Sequence, residues 1–284
     1  MPKCDHEHSD PEHSARSAPR APMRLRRCFV PAPLASEATL MLPSGASTHI
    51  AKVLRLRVGA ALSLFDGRGG EFEAQILALE RDGVRVRIGA HRAIEREAPV
   101  KVTLLQCLAR GERMDWIVQK ATELGVAAIV PVISEHSIVR LDEAGAQRRQ
   151  QHWQAVAISA CEQCGRNRIP ELNPPVTFER ACAETRGPTA PGAGARLLLA
   201  PAGAQTLASA AKALSAPGAI ASLSLLIGPE GGLSAQELAI AQLHGFIACR
   251  LGPRILRAET APLAALSTIQ ALLGDFGERE AATN

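Results

Sequence analysis

Apolar runs alternate with helical patterns from Val102 to Leu273, and this rhythm most constrains how the chain can fold. Val126–Ile133 is almost continuously apolar, as expected for a strand that is covered on both faces. Arg113–Leu124 instead has its apolar side chains at helical spacing, and Gly125 follows as the predicted C-terminal cap. Strand and helix patterns that alternate in this way are typical of a parallel sheet. The sequence therefore predicts an α/β domain.

The other elements predicted for this stretch continue the alternation. They are a strand at Val102–Ala109, a helix from about Asp142 to Cys164, a loop at Gly187–Gly194, a strand at Arg196–Leu199, a helix at Thr206–Leu214, a strand at Leu223–Ile227, a helix at Ala235–Leu243, a strand at Phe246–Leu251 and a helix near Pro262–Leu273. We find no internal repeat.

The segment before this stretch has the rhythm of short strands separated by turns. Val84–Ile88 alternates strictly, which predicts that Arg85 and Arg87 face solvent while the apolar residues between them are buried. Turn signals such as Asp66-Gly67 and Asp82-Gly83 separate the strands. We predict a small β-barrel with arginines on its outer surface. Its other elements would be strands at Ala38–Pro43, Ala61–Phe65 and Glu71–Leu79, with a short helix at His49–Leu56.

The net charge of +4 is unevenly distributed along the chain. Met23–Arg96 holds twelve basic and seven acidic residues, whereas Glu97–Asn284 holds seventeen of each. A basic small domain is a candidate for binding nucleic acid, although five extra charges also serve solubility. We predict a disordered tail at 1–22, the barrel at 23–95, the α/β domain at 96–277 and a second tail at 278–284.

Several classes of protein are excluded by composition. No apolar stretch approaches the roughly eighteen residues of a membrane span, and the first twenty residues lack the apolar core of a secretory signal. An odd count of seven cysteines favours free thiols in a reducing cytoplasm. Cys161 and Cys164 have no second pair at zinc-ribbon spacing, and the histidines of the first residues have no fixed spacing. We therefore predict a cytoplasmic protein without a metal.

Two glycine-containing loops are the strongest candidates for a ligand site. Gly228–Leu233 follows an apolar strand and ends in a capping box formed by Ser234 and Glu237. Leu251–Ala261 also lies between a strand and a helix, and it carries the charges of Arg254, Arg257 and Glu259. Glycines permit close approach of the backbone to a ligand, and loops at the carboxyl ends of parallel strands lie together. Neither loop is a Walker motif or a dinucleotide fingerprint.

Two further stretches carry charge beside a predicted helix. Arg166 and Arg168 follow the helix that ends near Cys164, where we interpret the cysteines as packing residues. Arg110 and Arg113 lie where a strand passes into the helix beginning near Met114. All four arginines are candidates for contact with a substrate.

Taken together, four motifs resemble the RsmE family of bacterial 16S ribosomal RNA methyltransferases. They are Met114–Gly125 (MDWIVQKATELG), Ala160–Arg166 (ACEQCGR), Gly228–Leu233 (GPEGGL) and Leu251–Ala261 (LGPRILRAETA). The likeness extends in the right order from about Met23 to Gly277. The family methylates N3 of a uridine and belongs to the SPOUT superfamily. The resemblance implies a small PUA-like β-barrel followed by an α/β domain with a deep C-terminal trefoil knot, a homodimer, and S-adenosylmethionine as methyl donor.

The resemblance also implies which residues hold the cofactor and carry the chemistry. The implied cofactor-binding residues are Leu199, Ala200, Pro201, Ile227, Gly228, Pro229, Glu230, Gly231, Gly232, Leu251, Gly252, Ile255, Leu256, Arg257, Thr260 and Ala261. Methyl transfer requires the N3 proton to be removed or shared, and cationic donors stabilise charge that develops on O2 and O4. The candidates are Arg166 and Arg257 as donors, with Glu259 or Glu230 to assist deprotonation.

The expected partner is 16S ribosomal RNA within the 30S subunit. The predicted RNA-binding residues are Arg24, Arg26, Arg27, Arg85, Arg87, Arg110, Arg113, Arg166 and Arg168. Aromatic residues are only 3% of the chain, which favours recognition of shape and phosphates over base stacking.

Three alternatives remain open at this point. Methylation of a ribose 2′-hydroxyl or of another base would use the same pocket. A ribosome-assembly protein that binds RNA without a cofactor would not need the GPEGG loop. A nucleotide-dependent dehydrogenase lacks its fingerprint after the first strand.

Overall fold

A computed structural model describes residues 25–137, 142–184, 195–214 and 222–277. The predicted tails at 1–22 and 278–284, the predicted loop at Gly187–Gly194 and the candidate Arg24 lie outside these ranges.

The N-terminal unit is a five-stranded sheet with a short helical segment. Its elements are β1 (Arg26–Phe29), β2 (Thr39–Met41), α1 (Ser44–Thr48), a π-helical turn (His49–Val53), β3 (Ala61–Phe65), β4 (Glu71–Glu80) and β5 (Gly83–Arg92). The strand order is β1-β3-β4-β5-β2, in which β1 and β3 are parallel and the other pairs are antiparallel. Val84, Val86 and Ile88 are buried in the core of this sheet, as the alternation predicted.

The helix predicted at His49–Leu56 begins earlier than expected. α1 starts after Pro43, and the π-helical turn continues it to Val53. The buried Ser47 stabilises this start, because its hydroxyl donates to the carbonyl of Leu42 and accepts from the amide of Val84. Residues such as Ser44, Gly45 and Thr48 have weak helix propensity, so the local pattern did not predict a helix there. The helix depends on this tertiary contact, which the local pattern does not show.

The second unit is a parallel sheet of eight strands that is covered by helices. Its elements are β6 (Lys101–Cys107), α2 (Arg113–Glu123), β7 (Ala128–Ile133), α3 (Glu143–Cys164), β8 (Glu171–Leu172), β9 (Val176–Thr177), α4 (Phe178–Glu184), β10 (Ala195–Leu199), β11 (Gln205–Thr206), α5 (Leu207–Ala213), β12 (Ser222–Ile227), α6 (Ala235–Leu243), β13 (Ile247–Arg250) and α7 (Thr260–Leu273). The order is β11-β13-β10-β12-β6-β7-β8, with β9 also paired to β7. The predicted α/β domain is confirmed, although β8, β9, β11 and α4 were not predicted.

Both faces of this sheet are buried. Leu225 of β12 and Leu104 of β6 pack in one apolar core, whereas Leu226 and Leu105, the next residues along, pack in another. Neighbouring side chains of a strand point to opposite faces, so both faces are covered. This explains why the central strands are nearly continuous apolar runs.

The two units meet around the C-terminal end of α3. Gly165 caps the helix with a φ of 96°, and the chain then turns towards the N-terminal sheet. Asn167 donates to the carbonyl of Ile94 and accepts from Arg27 of β1, while Glu162 accepts from the amide of Phe29. The link between the units is therefore polar and specific.

Candidate active site

Three loops lie side by side at the carboxyl edge of the parallel sheet. β10 lies between β12 and β13, and Leu199 at its end is in register with Ile227 and Cys249. The loops at 200–204, 228–234 and 251–259 leave the sheet from these neighbouring strand ends. All of the predicted cofactor-binding residues lie in these loops or at the strand and helix ends that bound them, from Leu199, Ala200 and Pro201 through Ile227–Gly232 to Leu251, Gly252, Ile255, Leu256, Arg257, Thr260 and Ala261.

The glycines leave parts of the loop backbone open. Gly232 and Gly252 have φ values of 71° and 76°, and a Cβ at either position would meet nothing within 4 Å. Gly231 packs tightly, because a Cβ there would lie 3.0 Å from the Cβ of His136. The His136 ring also lies 3.1 Å from the carbonyl oxygen of Gly232 through its Nδ1. The loop is thus supported on one side and open where a ligand can approach.

Arg113 lies between two carboxylates at the rim of this crevice. Its Nη1 donates to Oε1 of Glu230 at 2.6 Å, and its Nε lies 3.8 Å from Oε2 of Glu259. The amide of Arg110 also donates to Glu230. Partial burial opposes ionisation, but hydrogen bonds from the loop backbone and from Arg113 outweigh it, so the pKa of Glu230 is lowered. Glu230 is therefore held as a carboxylate at neutral pH.

Glu259 provides a test of whether S-adenosylmethionine fits the crevice. Its Oε2 is buried and accepts no hydrogen bond from any of the described residues. Nε of Arg113, 3.8 Å away, is too distant to donate a hydrogen bond to it, so this buried acceptor lacks a donor. The methyl donor presents hydroxyl and ammonium groups that can supply one. Half-buried Leu199, Leu251 and Leu256 add apolar surface beside it. The residues that are present therefore fit the cofactor.

Two side chains that were not singled out as site residues brace the loops. Arg250 at the end of β13 donates to the carbonyls of Gly203 and Ala204, which fixes the loop after β10. Glu237 forms the predicted capping box with Ser234 and also accepts from the amide of Glu135, so it joins the loops after β12 and β7. The capping box was visible as a sequence pattern, whereas the partner 102 residues away was not.

Arg166 and Arg168 lie at the opposite edge of the sheet. Arg166 is 4% exposed and donates to both oxygens of Glu97 and to the carbonyls of Thr122 and Val126. It does not lie next to any of the strands that border the crevice. Burial alone would lower its pKa, but the bonds and charge of Glu97 outweigh this and the pKa is raised. Arg168 pairs with Glu95 on the surface. The structure therefore does not bring Arg166 together with Arg257 and Glu259, and its donors are occupied by Glu97 and by two backbone carbonyls.

The predicted RNA-binding arginines of the N-terminal sheet differ in their surroundings. Arg26 and Arg87 are exposed, and Arg85 pairs with Glu80 at the surface. Arg27 is mostly buried, pairs with Glu71 and lies over the ring of Phe65. The side chain of Arg110 is exposed beside the crevice. Arg27 therefore stabilises the junction between the units, whereas the others face solvent.

The cysteines of the described ranges form neither a metal site nor a disulfide. Six of them lie in the described ranges and all six are free thiols. Burial raises the pKa of Cys161 to about 12, which suits a packing residue. The described ranges contain no group of three metal-ligating side chains, and none of their helices could cross a membrane.

Comparison with known proteins identifies both units. Residues 96–270 match the model of an RNA methyltransferase domain, and residues 42–89 match that of an RNA methyltransferase PUA domain. The ribosomal RNA small subunit methyltransferase E of Buchnera aphidicola is 31% identical over 253 residues, covering 89% of this chain and 98% of the relative. The protein of the same name from Bacillus subtilis is 32% identical over 228 residues, covering 78% and 85%.

Two solved structures agree in fold over most of the chain. A methyltransferase of Legionella pneumophila with bound S-adenosylmethionine is 38% identical with a TM-score of 0.82, covering 89% of this chain and 100% of that one. The ribosomal RNA small subunit methyltransferase E of Neisseria gonorrhoeae, also bound to S-adenosylmethionine, is 37% identical with a TM-score of 0.79, covering 89% and 99%. The N-terminal unit is accordingly PUA-like, and the chain belongs to the ribosomal RNA small subunit methyltransferase E (RsmE) family that its four motifs predicted.

Proposed function

We propose that the protein uses S-adenosylmethionine to methylate N3 of a uridine in 16S ribosomal RNA. The observation that carries this proposal is the crevice at the carboxyl edge. Open glycine backbone, the exposed Arg257 and a buried oxygen of Glu259 that accepts no hydrogen bond from the described residues lie there within one set of neighbouring loops. Both units match those of RNA methyltransferases, and relatives of this name bind the same cofactor.

The crevice would hold the cofactor mainly through backbone groups. Gly228–Gly232 and Leu251–Leu256 present amides and carbonyls that can read an adenine edge, while Leu199 to Pro201 close the third side. When bound, S-adenosylmethionine supplies an electrophilic methyl group. Glu259 is suited to accept a hydrogen bond from a donor of the cofactor or of the base, because its Oε2 is buried without one.

The uracil N3 carries a proton that must leave before nitrogen can act as a nucleophile. Glu259 is the candidate base, because its Oε2 accepts no hydrogen bond from the described residues. Hydrogen bonds from the backbone and from Arg113 lower the pKa of Glu230 and weaken it as a base. Arg257 is exposed at the rim and can donate to the uracil oxygens, where negative charge develops as the proton leaves. Glu230 and Arg113 would instead hold the loops at the rim of the crevice in position.

RNA would be held by arginines in both units. Arg26, Arg85 and Arg87 on the N-terminal sheet and Arg110, Arg113 and Arg168 on the catalytic unit are candidates for phosphate contacts, which give salt-dependent affinity. Arg166 was predicted to contact RNA and to donate to the uracil oxygens; we propose instead that it is a structural residue, because its guanidinium donates to Glu97 and to two backbone carbonyls.

We propose that the C-terminal part of the sheet forms a deep trefoil knot. The strand order supports this, because β10 lies between β12 and β13 although it precedes both in sequence. The chain must therefore pass over β10 after β12, and α7 then packs against α5 and α2. Knotted chains are rare, so connectivity of this kind is unusual in itself.

We further propose a homodimer that acts in the cytoplasm on the 30S subunit. α7 contains no charged residue, and its Leu263, Ala264 and Leu272 are only partly buried. Ile255, just before it, is 85% exposed. A surface helix without charges favours association with a second copy. Recognition of RNA shape suits a folded subunit.

A deletion strain tests the proposed function. Methylation at N3 blocks base pairing, so primer extension along 16S ribosomal RNA should stop at one position in wild-type cells and read through in the deletion. A plasmid carrying the wild-type gene should restore the stop, whereas the Glu259→Gln variant should restore it weakly. Mass spectrometry of nucleosides then identifies the product, and a 2′-O-methylated ribose or another methylated base would contradict the assignment to N3.

A further inference from the structure

A cavity of about 530 Å³ lies between the two units, away from the crevice. Strands β1, β3 and β4 form one wall, and the last turn of α3 forms the other. Its volume falls within the usual range for sites that bind small ligands or parts of larger ones. A junction between domains is ordinarily filled by packed apolar side chains, whereas this cavity is lined mainly by polar and charged side chains.

Ser63 is the most informative residue of this cavity. It is 6% exposed, lines the cavity from β3, and its hydroxyl has no hydrogen-bond partner among the described residues. It lies in register with Arg27 of β1 and Glu73 of β4, so the three side chains form a row across the sheet. A buried hydroxyl without a partner is costly and usually indicates a ligand or an ordered water.

The charges of the cavity favour an anionic ligand. Its three carboxylates already accept hydrogen bonds within the chain: Glu71 from Arg27, Glu73 from Arg92 and Glu162 from the amide of Phe29. Donors remain available, however. Arg26 makes no hydrogen bond or ion pair within the described ranges, and Nε of Arg27 is buried without an acceptor. Among the buried side-chain atoms that line the cavity, those without a partner in the described ranges are Nε of Arg27 and the hydroxyl of Ser63, and both can donate, which suits a phosphate group.

From these observations, and resting on the proposed function, we infer that this cavity binds a backbone phosphate of the RNA substrate through Arg26 and the hydroxyl of Ser63. A phosphodiester offers acceptors only, which matches the unused donors. Contacts of this kind fix the position of RNA on the protein without reading its sequence. The cavity would thus add to the affinity for RNA and leave the affinity for the cofactor unchanged.

Two substitutions in the full-length protein test this inference. Binding to a 16S ribosomal RNA transcript is measured at several salt concentrations. Arg26→Gln should weaken binding about fivefold and reduce the slope of log affinity against log salt by about one, because one phosphate contact is lost. Ser63→Ala removes only a hydroxyl and should weaken binding about threefold. Affinity for S-adenosylmethionine, measured by calorimetry, should not change in either variant, which also shows that each variant is folded.

Arg81→Gln is the matched control, because Arg81 is an exposed arginine at the turn between β4 and β5, outside the cavity. If Arg26→Gln and Ser63→Ala bind RNA with wild-type affinity and salt slope, or if Arg81→Gln weakens binding equally, the inference is wrong. Uridine 5′-monophosphate provides a second arm. If the cavity variants lose binding of this nucleotide but keep their affinity for RNA, the cavity serves a free nucleotide instead. Failure of the wild-type protein to methylate RNA would refute the proposed function separately.

Discussion

At the scale of single residues, the crevice is organised by one arginine and two carboxylates. Arg113 donates to Glu230 and approaches Glu259, so that a residue predicted to contact RNA also supports the cofactor loops. The two glutamates therefore differ in their hydrogen bonding. Glu230 has hydrogen-bond partners within the chain, and Glu259 has an oxygen with none among the described residues.

Replacing Arg113 should change the ionisation of Glu230. In Arg113→Gln we expect the pKa of Glu230 to rise towards its ordinary value, as measured by NMR of the carboxyl carbon. A lowered pKa stabilises the protein above the unfolded value of 4.5, and this contribution is lost as the pH falls through the folded pKa. Solvent screening keeps it below about 1 kcal/mol. The stability difference between wild type and variant should therefore be present at pH 7 and diminish as the pH falls below 4.5.

Arg148→Gln, at an exposed position on α3, removes the same charge elsewhere. An unchanged pKa of Glu230 in Arg113→Gln, or an equal shift in Arg148→Gln, would show that the ion pair does not control this carboxylate.

At the scale of elements, helix α6 stabilises the glycine loop before it. Ser234 caps the helix, and Glu237 in its first turn accepts from the amides of Ser234 and Glu135. Glu237 is only 4% exposed, so both hydrogen bonds are shielded from water. One carboxylate therefore holds two loops of the same sheet edge.

Glu237→Gln should loosen both loops, because an amide has only one acceptor oxygen for two buried donors. We expect a loss of about 1–3 kcal/mol in the free energy of unfolding, measured with urea, from the amide left without a partner. Affinity for S-adenosylmethionine should fall as well, since the loop is less well ordered. Glu143→Gln is the control in the first turn of α3, where the carboxylate is exposed. Equal effects of the two substitutions would contradict the role of Glu237.

At the scale of the whole molecule, the motif at the end of α3 joins the two units. Arg166 binds Glu97 of the connecting segment and two carbonyls at the amino edge of the sheet, while its own carbonyl accepts from Arg27. Arg96 donates to the carbonyl of Gly165 from the same segment. The ACEQCGR motif therefore sets how the PUA-like unit is attached to the catalytic unit.

Arg166→Ala should destabilise the protein by about 3 kcal/mol, because it leaves a partly buried carboxylate and two buried carbonyls without their donor. Arg168→Ala is the matched comparison, since Arg168 pairs with Glu95 at the surface and its loss should cost less than about 1 kcal/mol. Urea denaturation measures both. Similar small losses would show that Arg166 is not structural, and its predicted role in catalysis would then regain support.

Local patterns in the sequence predicted most elements of this molecule but not how they are joined. The hydrophobic patterns of Val84–Ile88 and Val126–Ile133 depend only on which faces of each strand are buried, so both strands could be predicted. The two glycine-containing loops at Gly228–Leu233 and Leu251–Ala261 predicted a crevice, because they follow strands that end at the same edge of the sheet. The partner of Arg166 could not be predicted, since Glu97 lies 69 residues away in the sequence. An arginine after a helix end can equally well bind a ligand, and the sequence does not distinguish the two roles. The hydroxyl of Ser63 likewise looks ordinary until its surroundings are known.

The opposite positions of the crevice and the junction also bear on the length of RNA that one chain can touch. The seven residues of β6 run from the amino edge, where the PUA-like unit is attached, to the carboxyl edge, where the glycine loops lie. At about 3.3 Å per residue this separation is on the order of 20 Å. A nucleotide held at one edge and a phosphate held at the other must therefore belong to a substrate that is either extended or folded across the sheet. Two contacts at this distance favour a structured RNA over an isolated short fragment. A folded RNA already holds the nucleotide and the phosphate in place, whereas a flexible strand must first be ordered at a cost in entropy.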